Sequence, residues 1–519
     1  MDAARSGEAG RRGGRRARRA ERLAAPLVCL PTLTRNIPVY EVLDREGVEL
    51  IHEASMGILE EIGIDFRDAE ALALWKQAGA QVTDERVRID RDLVMALVAT
   101  SPEEITLTGR NPARTVRLGG RDTVFAPTYG SPYVLDLEGQ RRYSTLADLE
   151  AFHKLAYLAP ALHLTGGITC EPVDVPVAKR HLHIAYSALR HSDKPFMGAT
   201  TARERAEDTV AMAKLVFGEA FVEANTVMVS VCNCNSPLVW DATMLDAVKV
   251  YARNNQAVLL SPFVMAGANT PASSVGAVAQ LNAEALAGLA FAQLVRPGAP
   301  MIYGHYLATV SMKSGAPMAG TPEISLMNFM VGQLARRYKV PWRSSGMVNG
   351  AKLPDAQAAY ESGMTMQSVL LAGANYVFHS AGWLEAGLTA SFAKFMLDAE
   401  QMEMYYRLAQ GVAPRDLVED LGDAMAALAE VGPGGHYLGT AHTRERFQDA
   451  FYMPELLDNN SYEQWAAEGA QDTAARATAK ARDKLARWED HAPTLDPAVD
   501  EALRAFIVGR EAELPDTVG

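Results

Sequence analysis

A histidine, a tryptophan and a glutamate lie close together where a segment typical of a buried β-strand ends. The segment GANYVFHSAGWLEAG, residues 373–387, begins with aromatic and β-branched residues that favour a strand. His379, Trp383 and Glu385 then follow among small residues. An indole face attracts a cation, a carboxylate balances positive charge, and an imidazole donates or accepts a hydrogen bond. These residues therefore predict a site for a charged small molecule where this strand ends.

The elements that must position these side chains repeat along the chain from about residue 120. Short β-rich runs alternate with helical stretches, which predicts a parallel sheet, and eight such units predict an α/β fold of the (β/α)₈ TIM-barrel class. A doubly wound sheet is the alternative, although no G-x-G-x-x-G motif follows any of these strands. The predicted strands span residues 123–130, 162–170, 194–202, 225–233, 257–267, 300–310, 340–346 and 374–384.

Two extensions and a tail are expected around the predicted barrel, which spans residues 121–410. Residues 1–35 predict a disordered Arg-rich tail, because the first 22 residues hold eight arginines and no apolar face. Residues 36–120 predict an N-terminal extension, mostly helical with a small β-rich piece. Residues 411–519 predict a C-terminal, mostly helical extension.

Composition restricts the location and the partners of the protein. The net charge of −13 argues against nucleic-acid binding, because phosphate backbones require a basic face. We expect no membrane partner, since we find neither a signal-peptide apolar region nor an uncharged apolar stretch of about 18 residues. Four cysteines in 519 residues do not make a disulfide framework, which favours a reducing cytoplasm. We also expect a homo-oligomer.

Barrel enzymes place their chemistry at the C-terminal ends of the strands, and here those ends are rich in aromatic rings. Lysines 313, 352 and 394 fall in loops or helices, so a lysine-dependent aldolase is not supported. Ring faces and one carboxylate suit a quaternary ammonium ion, which has no N–H donor. Any single ring could instead fill the core. The candidate substrate-binding residues at these ends are Tyr129, Tyr133, His305, Tyr306, His379, Trp383 and Glu385.

Four motifs together resemble the trimethylamine methyltransferase family. They are APTYGSPYV, SSGMVNGAKLPDAQAAYESG, ANYVFHSAGWLEAGLTAS and VGPGGHYLGTAHTRERFQDAFYMPEL, and the resemblance runs from about residue 37 to about residue 470. Enzymes of this family transfer a methyl group from a methylated amine to the cobalt of a corrinoid protein. The archaeal founders carry a pyrrolysine, which is absent from this chain, so the chain is similar to the non-pyrrolysine branch. The resemblance implies a quaternary amine such as glycine betaine as methyl donor.

The resemblance also implies roles for particular residues. It suggests Tyr129, His379 and the turn from Gly382 to Glu385 as substrate contacts. We expect Trp383 to present a ring face, and His379 and Glu385 to be the catalytic candidates. His379 would bond a substrate carboxylate, whereas Glu385 would balance the cation or hold the His379 tautomer.

The cobalamin-type corrinoid is expected on a separate partner protein. The chain lacks the corrinoid-binding motif D-x-H-x-x-G, and ALHLTG around His163 has alanine where the aspartate belongs. His436 and His442, in the Gly-rich C-terminal motif, are the candidate cofactor contacts. Zinc ligation, a loop that closes over the barrel, and a structural role stay open for these two histidines.

Two other functions remain as alternatives. Cys170, Cys232 and Cys234 follow predicted strands on one rim and could bind zinc in a betaine–thiol methyltransferase. Two cysteines so close together would crowd one ion, so we expect no metal in the protein itself. A non-catalytic betaine-binding protein is the second alternative.

Overall fold

The computed structural model of the protein describes residues 27–516. Most of the predicted Arg-rich tail, residues 1–26, lies outside the described residues. Residues 27–35 include a short strand, β1 (Leu33–Thr34), and Arg35 is buried. This part of the predicted tail therefore packs on the body of the protein.

The twenty strands described in this part of the chain are mostly short. After β1 they are β2 (Ile64–Phe66), β3 (Gln81–Thr83), β4 (Arg86–Arg88), β5 (Glu104–Leu107), β6 (Val116–Gly119), β7 (Asp122–Phe125), β8 (Tyr133–Leu135), β9 (Arg141–Tyr143), β10 (Phe196–Met197), β11 (Met228–Cys234), β12 (Val239–Trp240), β13 (Ala257–Ala266), β14 (Met301–Gly304), β15 (Tyr306–Val310), β16 (Pro317–Met318), β17 (Trp342–Ser345), β18 (Tyr376–Phe378), β19 (Trp383–Leu384) and β20 (Thr389–Ser391).

The α-helices lie between and after these strands. They are α1 (Arg45–Gly57), α2 (Ala69–Gln77), α3 (Arg91–Val98), α4 (Leu146–Leu158), α5 (Arg180–His191), α6 (Arg203–Phe217), α7 (Glu219–Ala224), α8 (Ala242–Arg253), α9 (Ser274–Val295), α10 (Pro322–Tyr338), α11 (Ala356–Ala372), α12 (Phe392–Gln410), α13 (Pro414–Val431), α14 (Ala441–Arg446), α15 (Tyr462–Ala467), α16 (Thr473–Ala486) and α17 (Pro497–Glu513).

A parallel sheet forms the centre of the molecule. Its strands follow the order β10-β11-β13-β14-β17-β18-β7, and neighbouring strands are parallel throughout. Beyond β7 the sheet continues antiparallel through β6 and β5. One smaller sheet, β12-β2-β4-β3, joins strands of the N-terminal segment to β12, and another, β19-β20-β8-β9, pairs strands that follow β18 with strands that follow β7. The prediction of a mixed α/β fold is confirmed.

The predicted closed barrel sheet is not present among residues 27–516. Residues 162–170 form no strand, although backbone bonds join them to both neighbours, from His163 N to Phe125 O at 2.9 Å and from Met197 N to Gly166 O at 2.9 Å. Gly166 has a left-handed φ of 95°, and a Cβ there would lie 2.7 Å from Pro127. This conformation interrupts the regular ladder that a strand requires.

Two of the helices have termini that their sequences explain. Thr145 caps α4 in a capping box with Asp148, whose side chain accepts from the Thr145 backbone. In α10, Pro322 occupies the first turn, and Arg336 and Arg337 lie near the negative end of the helix.

Helix α9 is the most completely buried long helix of the core. By length and composition alone it is apolar enough to cross a membrane, but 89% of its most apolar window is buried inside the protein. It packs against α1 and α3 from the N-terminal segment and against β13. Such burial is typical of a core helix.

Candidate active site

His379 lies in a cluster of aromatic rings where β18 ends. It follows β18 directly, with a left-handed φ of 54° that is uncommon for a residue with a Cβ. Its ring stacks on Trp383, with centroids 3.7 Å apart and planes 15° apart, and on Phe378 at 4.2 Å. Backbone strain of this kind persists only where the surroundings hold it, and it is common at functional sites.

Two tyrosines from other strand ends complete the cluster. Tyr306, at the start of β15, meets the edges of both His379 and Trp383, with centroids 6.0 Å apart in each case. Tyr129, beyond β7, contacts Phe378 at 5.3 Å. We refer to Tyr129, Tyr306, Phe378, His379 and Trp383 as the aromatic cluster. Four of these five rings belong to the residues that the sequence singles out.

Trp383 supports His379 more than it offers an open ring face. The imidazole covers one face of the indole, and Gly387 lies against the six-membered ring, where a Cβ would come within 2.9 Å of Cζ2. Tyr129 is the least buried ring of the cluster. A bound cation therefore has better access to the ring of Tyr129 than to the indole.

Arg343, from β17, is a candidate functional residue that the sequence analysis missed. It is 2% exposed and donates from Nη1 to Ser261 Oγ at 2.9 Å and to the carbonyl of His305. Among residues 27–516 no carboxylate pairs with it, and its Nε has no hydrogen-bond partner. Burial lowers the pKa of Arg343 to about 10, so it is still a cation at neutral pH. A lone arginine inside the run VPWRSSG was the available signal.

Arg343 and Ser345 set the state of the His379 ring. His379 Nδ1 lies 2.9 Å from Ser345 Oγ and 3.5 Å from Arg343 Nη2. Burial, assisted by the Arg343 charge, holds the pKa of His379 well below its usual value. His379 is thus neutral at pH 7 and has a hydrogen-bonding nitrogen next to a guanidinium.

Glu385 is already paired at the rim of the site. Its Oε2 accepts from Arg141 Nε at 2.8 Å and from Thr389 Oγ1 at 2.6 Å. Burial raises the pKa of Glu385, but these two hydrogen bonds outweigh burial and lower it overall. In the described structure Ser345, not Glu385, bonds His379, and the charge of Glu385 is balanced by Arg141.

The other predicted contacts lie in different surroundings. Tyr133, on β8, is covered by Arg141 at 3.7 Å and stacks on Tyr143 at 4.7 Å, so it is outside the aromatic cluster. His305 separates β14 from β15 and stacks on Trp342 with a centroid distance of 6.0 Å. Gly382 has φ of 100°, and its N–H donates to Asp398 at 2.9 Å.

Several buried polar atoms near the strand ends have no partner among the described residues. His305 has two such ring nitrogens, and burial together with Arg343 holds its pKa well below the usual value. The other atoms are Thr128 Oγ1, Thr165 Oγ1, Arg343 Nε and Trp383 Nε1. Since buried polar groups are normally hydrogen-bonded, this concentration favours a polar ligand at the strand ends.

The cysteines do not form a metal site within residues 27–516, where no group of three potential ligands comes together. Cys170, Cys232 and Cys234 are buried and free. Burial raises the pKa of each thiol, which disfavours the thiolate that zinc requires.

The two C-terminal histidines are separate from the aromatic cluster in the chain and in their surroundings. His436 is exposed in the segment between α13 and α14. His442 is half-buried in α14, and its Nε2 has no partner among the described residues. Arg446 ties α14 to α13 through Asp420 and Asp423.

Comparison with known proteins identifies relatives over nearly the whole chain. A glycine betaine methyltransferase of Desulfitobacterium hafniense is 42% identical over 92% of this chain and 98% of its own length. A proline betaine:corrinoid methyltransferase of Eubacterium limosum is 28% identical over 80% of this chain and 86% of its own. A trimethylamine methyltransferase of Methanosarcina mazei is 29% identical over 89% of this chain and 95% of its own length.

The fold is also similar to that of a solved structure. The monomethylamine methyltransferase of Methanosarcina barkeri aligns with a TM-score of 0.52 over 87% of this chain and 89% of its own, at 12% identity. The family described as trimethylamine methyltransferase (MTTB) matches residues 11–515. The chain therefore belongs to the trimethylamine methyltransferase family.

Proposed function

We propose that the protein transfers a methyl group from a carboxylated quaternary amine, such as glycine betaine, to the Co(I) corrinoid of a separate protein. The observation that carries this proposal is Arg343, a buried cation without a carboxylate partner among the described residues, next to the aromatic cluster. A betaine supplies both missing complements. Its carboxylate pairs with the guanidinium, and its methylammonium group contacts ring faces.

The proposed reaction requires no general acid. When a quaternary nitrogen loses a methyl group it leaves as a neutral tertiary amine, so no proton donor is required. The corrinoid, when its carrier protein docks, supplies the Co(I) nucleophile. The residues of this chain bind the substrate, orient one N–CH₃ bond and exclude water, which is catalysis by proximity and orientation.

The corrinoid does not fit a site of its own in the described chain. His163, the histidine of ALHLTG, is buried, and Phe125 N–H donates to its Nδ1 at 3.0 Å. Its Nε2 lies 2.8 Å from Pro31 O, so both ring nitrogens are engaged. This arrangement supports a corrinoid on a partner protein, with His436 and His442 still predicted as cofactor contacts.

A panel of methyl donors tests the proposed function. Glycine betaine should methylate free Co(I) cobalamin faster than choline or trimethylamine, because only glycine betaine has a carboxylate for Arg343. Equal rates from glycine betaine and trimethylamine would contradict the proposal. Tight binding of glycine betaine without any methyl transfer would favour the non-catalytic betaine-binding alternative.

The proposal also includes a closed barrel, the domain boundaries, the location of the protein and its assembly into oligomers. Residues 162–170 form no regular strand, but their backbone bonds to β7 and β10 support a (β/α)₈ barrel in which this segment closes the ring between those two strands. We infer the division into 36–120, 121–410 and 411–519 around this barrel. Free cysteines support a cytoplasmic location without a resident metal. Exposed apolar side chains on α13, such as Val418 and Met425, support a homo-oligomer.

A further inference from the structure

Two buried side chains bond the backbone just before and just after the Trp383 side chain. Asp398 Oδ2, from α12, accepts the N–H of Gly382 at 2.9 Å. Asn349 Nδ2, from the segment after β17, donates to the carbonyl of Trp383 at 2.7 Å. The backbone that carries the indole is thus fixed from outside its own β19–β20 hairpin.

Two further residues join these side chains into one network. Lys394 pairs with Asp398 and donates to Ser362 Oγ at 3.0 Å. Asn349 Nδ2 lies 3.3 Å from the same Ser362 oxygen. We call Asn349, Ser362, Lys394 and Asp398 the polar clamp; none of the four is more than 4% exposed.

Filling part of the core with the polar clamp costs free energy, because its charged groups lose their hydration. A buried ion pair loses so much hydration that well-packed apolar residues of similar volume are often as stable or more stable. A cavity lined by Ser362, Lys394 and Asp398 borders the clamp, so the clamp itself is not closely packed on that side. Stability alone therefore does not account for the clamp, whereas exact placement of the Trp383 loop does.

We propose that the polar clamp is a positioning device for methyl transfer. It fixes the indole of Trp383 and, through the 3.7 Å ring stack, the imidazole of His379 next to Arg343. Its four side chains are positioning residues, because they act through Trp383 and not on the substrate. This inference rests on the proposed function, since it concerns the same site.

A double-mutant cycle tests the positioning role. Asn349→Leu and Asp398→Asn are each made alone and together with Trp383→Ala. Each single clamp variant should lower kcat/KM for glycine betaine and free Co(I) cobalamin by about tenfold to a hundredfold, because misplaced groups lose orientation. In the Trp383→Ala background the same substitutions should cost less than about threefold, because residues that act through one another are not additive. Equal losses in both backgrounds would overturn the proposal.

Two further measurements keep the test decisive. Ser368→Ala, on the same helix as Ser362, removes a buried hydroxyl whose one hydrogen-bond partner among the described residues is Thr365 O, and should leave kcat/KM unchanged. Ser362→Ala replaces any clamp variant that does not fold. The Kd for glycine betaine is also measured by calorimetry for every variant of the cycle. If the wild-type protein binds glycine betaine without methyl transfer, the proposed function is refuted, and the Kd values still test the role of the clamp.

Discussion

At the scale of single residues, Arg343 carries a charge that the described part of the fold does not neutralise. A guanidinium taken out of water costs several kcal/mol unless a partner anion compensates. Its three hydrogen-bond partners among the described residues are a hydroxyl, a carbonyl and a neutral imidazole, and none is an anion. The free protein therefore keeps a buried cation, with which we expect the carboxylate of a bound substrate to pair.

Replacing this arginine should separate stability from binding. In Arg343→Met the free energy of unfolding without ligand should be unchanged or higher, because a buried unpaired charge is removed. The affinity for glycine betaine should fall about a hundredfold, or ~3 kcal/mol, whereas that for choline should change by less than about threefold. Urea unfolding and calorimetry measure these quantities.

The control for this substitution lies at the opposite end of the sheet. Arg336 on α10 pairs with Glu41 at 3.0 Å, and Arg336→Met should leave both affinities unchanged. If Arg343→Met weakened choline and glycine betaine equally, the arginine would have a structural role only.

Side-chain type alone singled out rings that the structure brings together, and their roles in binding stay predictions. Tyr129, Tyr306, His379 and Trp383 are rings at strand ends, and the structure brings them together through Phe378. Glu385 pairs with Arg141, which lies 244 residues away, so the sequence around neither residue predicts the pairing. For the same reason the polar clamp, assembled from three separate elements, was not predicted.

At the scale of elements, β-branched and aromatic runs located seven of the eight predicted parallel strands, which are β7, β10, β11, β13, β14, β17 and β18. Two of the predicted strands differ in their backbone from the prediction. The run at 300–310 divides at His305 into β14 and β15, which pair with successive parts of β13. Residues 162–170 have the composition of a strand, but the left-handed Gly166 breaks their ladder.

The turn that leads into β19 requires glycine, and this requirement is measurable. Gly382 has φ of 100°, and a Cβ would lie 3.1 Å from Phe395. Gly382→Ala should lower the free energy of unfolding by about 1–3 kcal/mol and weaken glycine betaine binding, since the Trp383 backbone shifts. Gly509→Ala in α17, where a Cβ meets nothing within 4 Å, should raise it by up to about 1 kcal/mol. Equal stability of the two variants would contradict this account.

At the scale of the whole molecule, the buried cysteines predict independence from metal. The pKa of the Cys232 thiol is raised by burial, so it is a poor metal ligand and a poor nucleophile at neutral pH. Treatment with a chelator should leave methyl transfer to free Co(I) cobalamin unchanged, and Cys232→Ser should keep activity within about twofold. Stoichiometric zinc that is lost together with activity in this variant would instead favour the betaine–thiol alternative.

Histidines buried across the fold make its stability dependent on pH. Burial lowers the pKa of His153 to about 4 and that of His163 to about 4. Because a free histidine has a pKa of about 6.5, the unfolded chain binds more protons than the folded protein between pH 6.5 and pH 4. Each of these histidines therefore stabilises the fold less as the pH falls through this window. Glu403, whose pKa burial raises to about 7, acts in the opposite direction.

A substitution isolates the contribution of one histidine from these opposing groups. His163→Gln removes the titration while an amide remains near Phe125 N and Pro31 O, the two groups that His163 bonds. Between pH 6 and pH 4.5, the free energy of unfolding of the variant should fall less steeply than that of the wild type, by up to about 1.4 kcal/mol per pH unit. Urea unfolding at several pH values measures both slopes. Parallel slopes would show that His163 gains its proton as readily in the folded protein as in the unfolded chain.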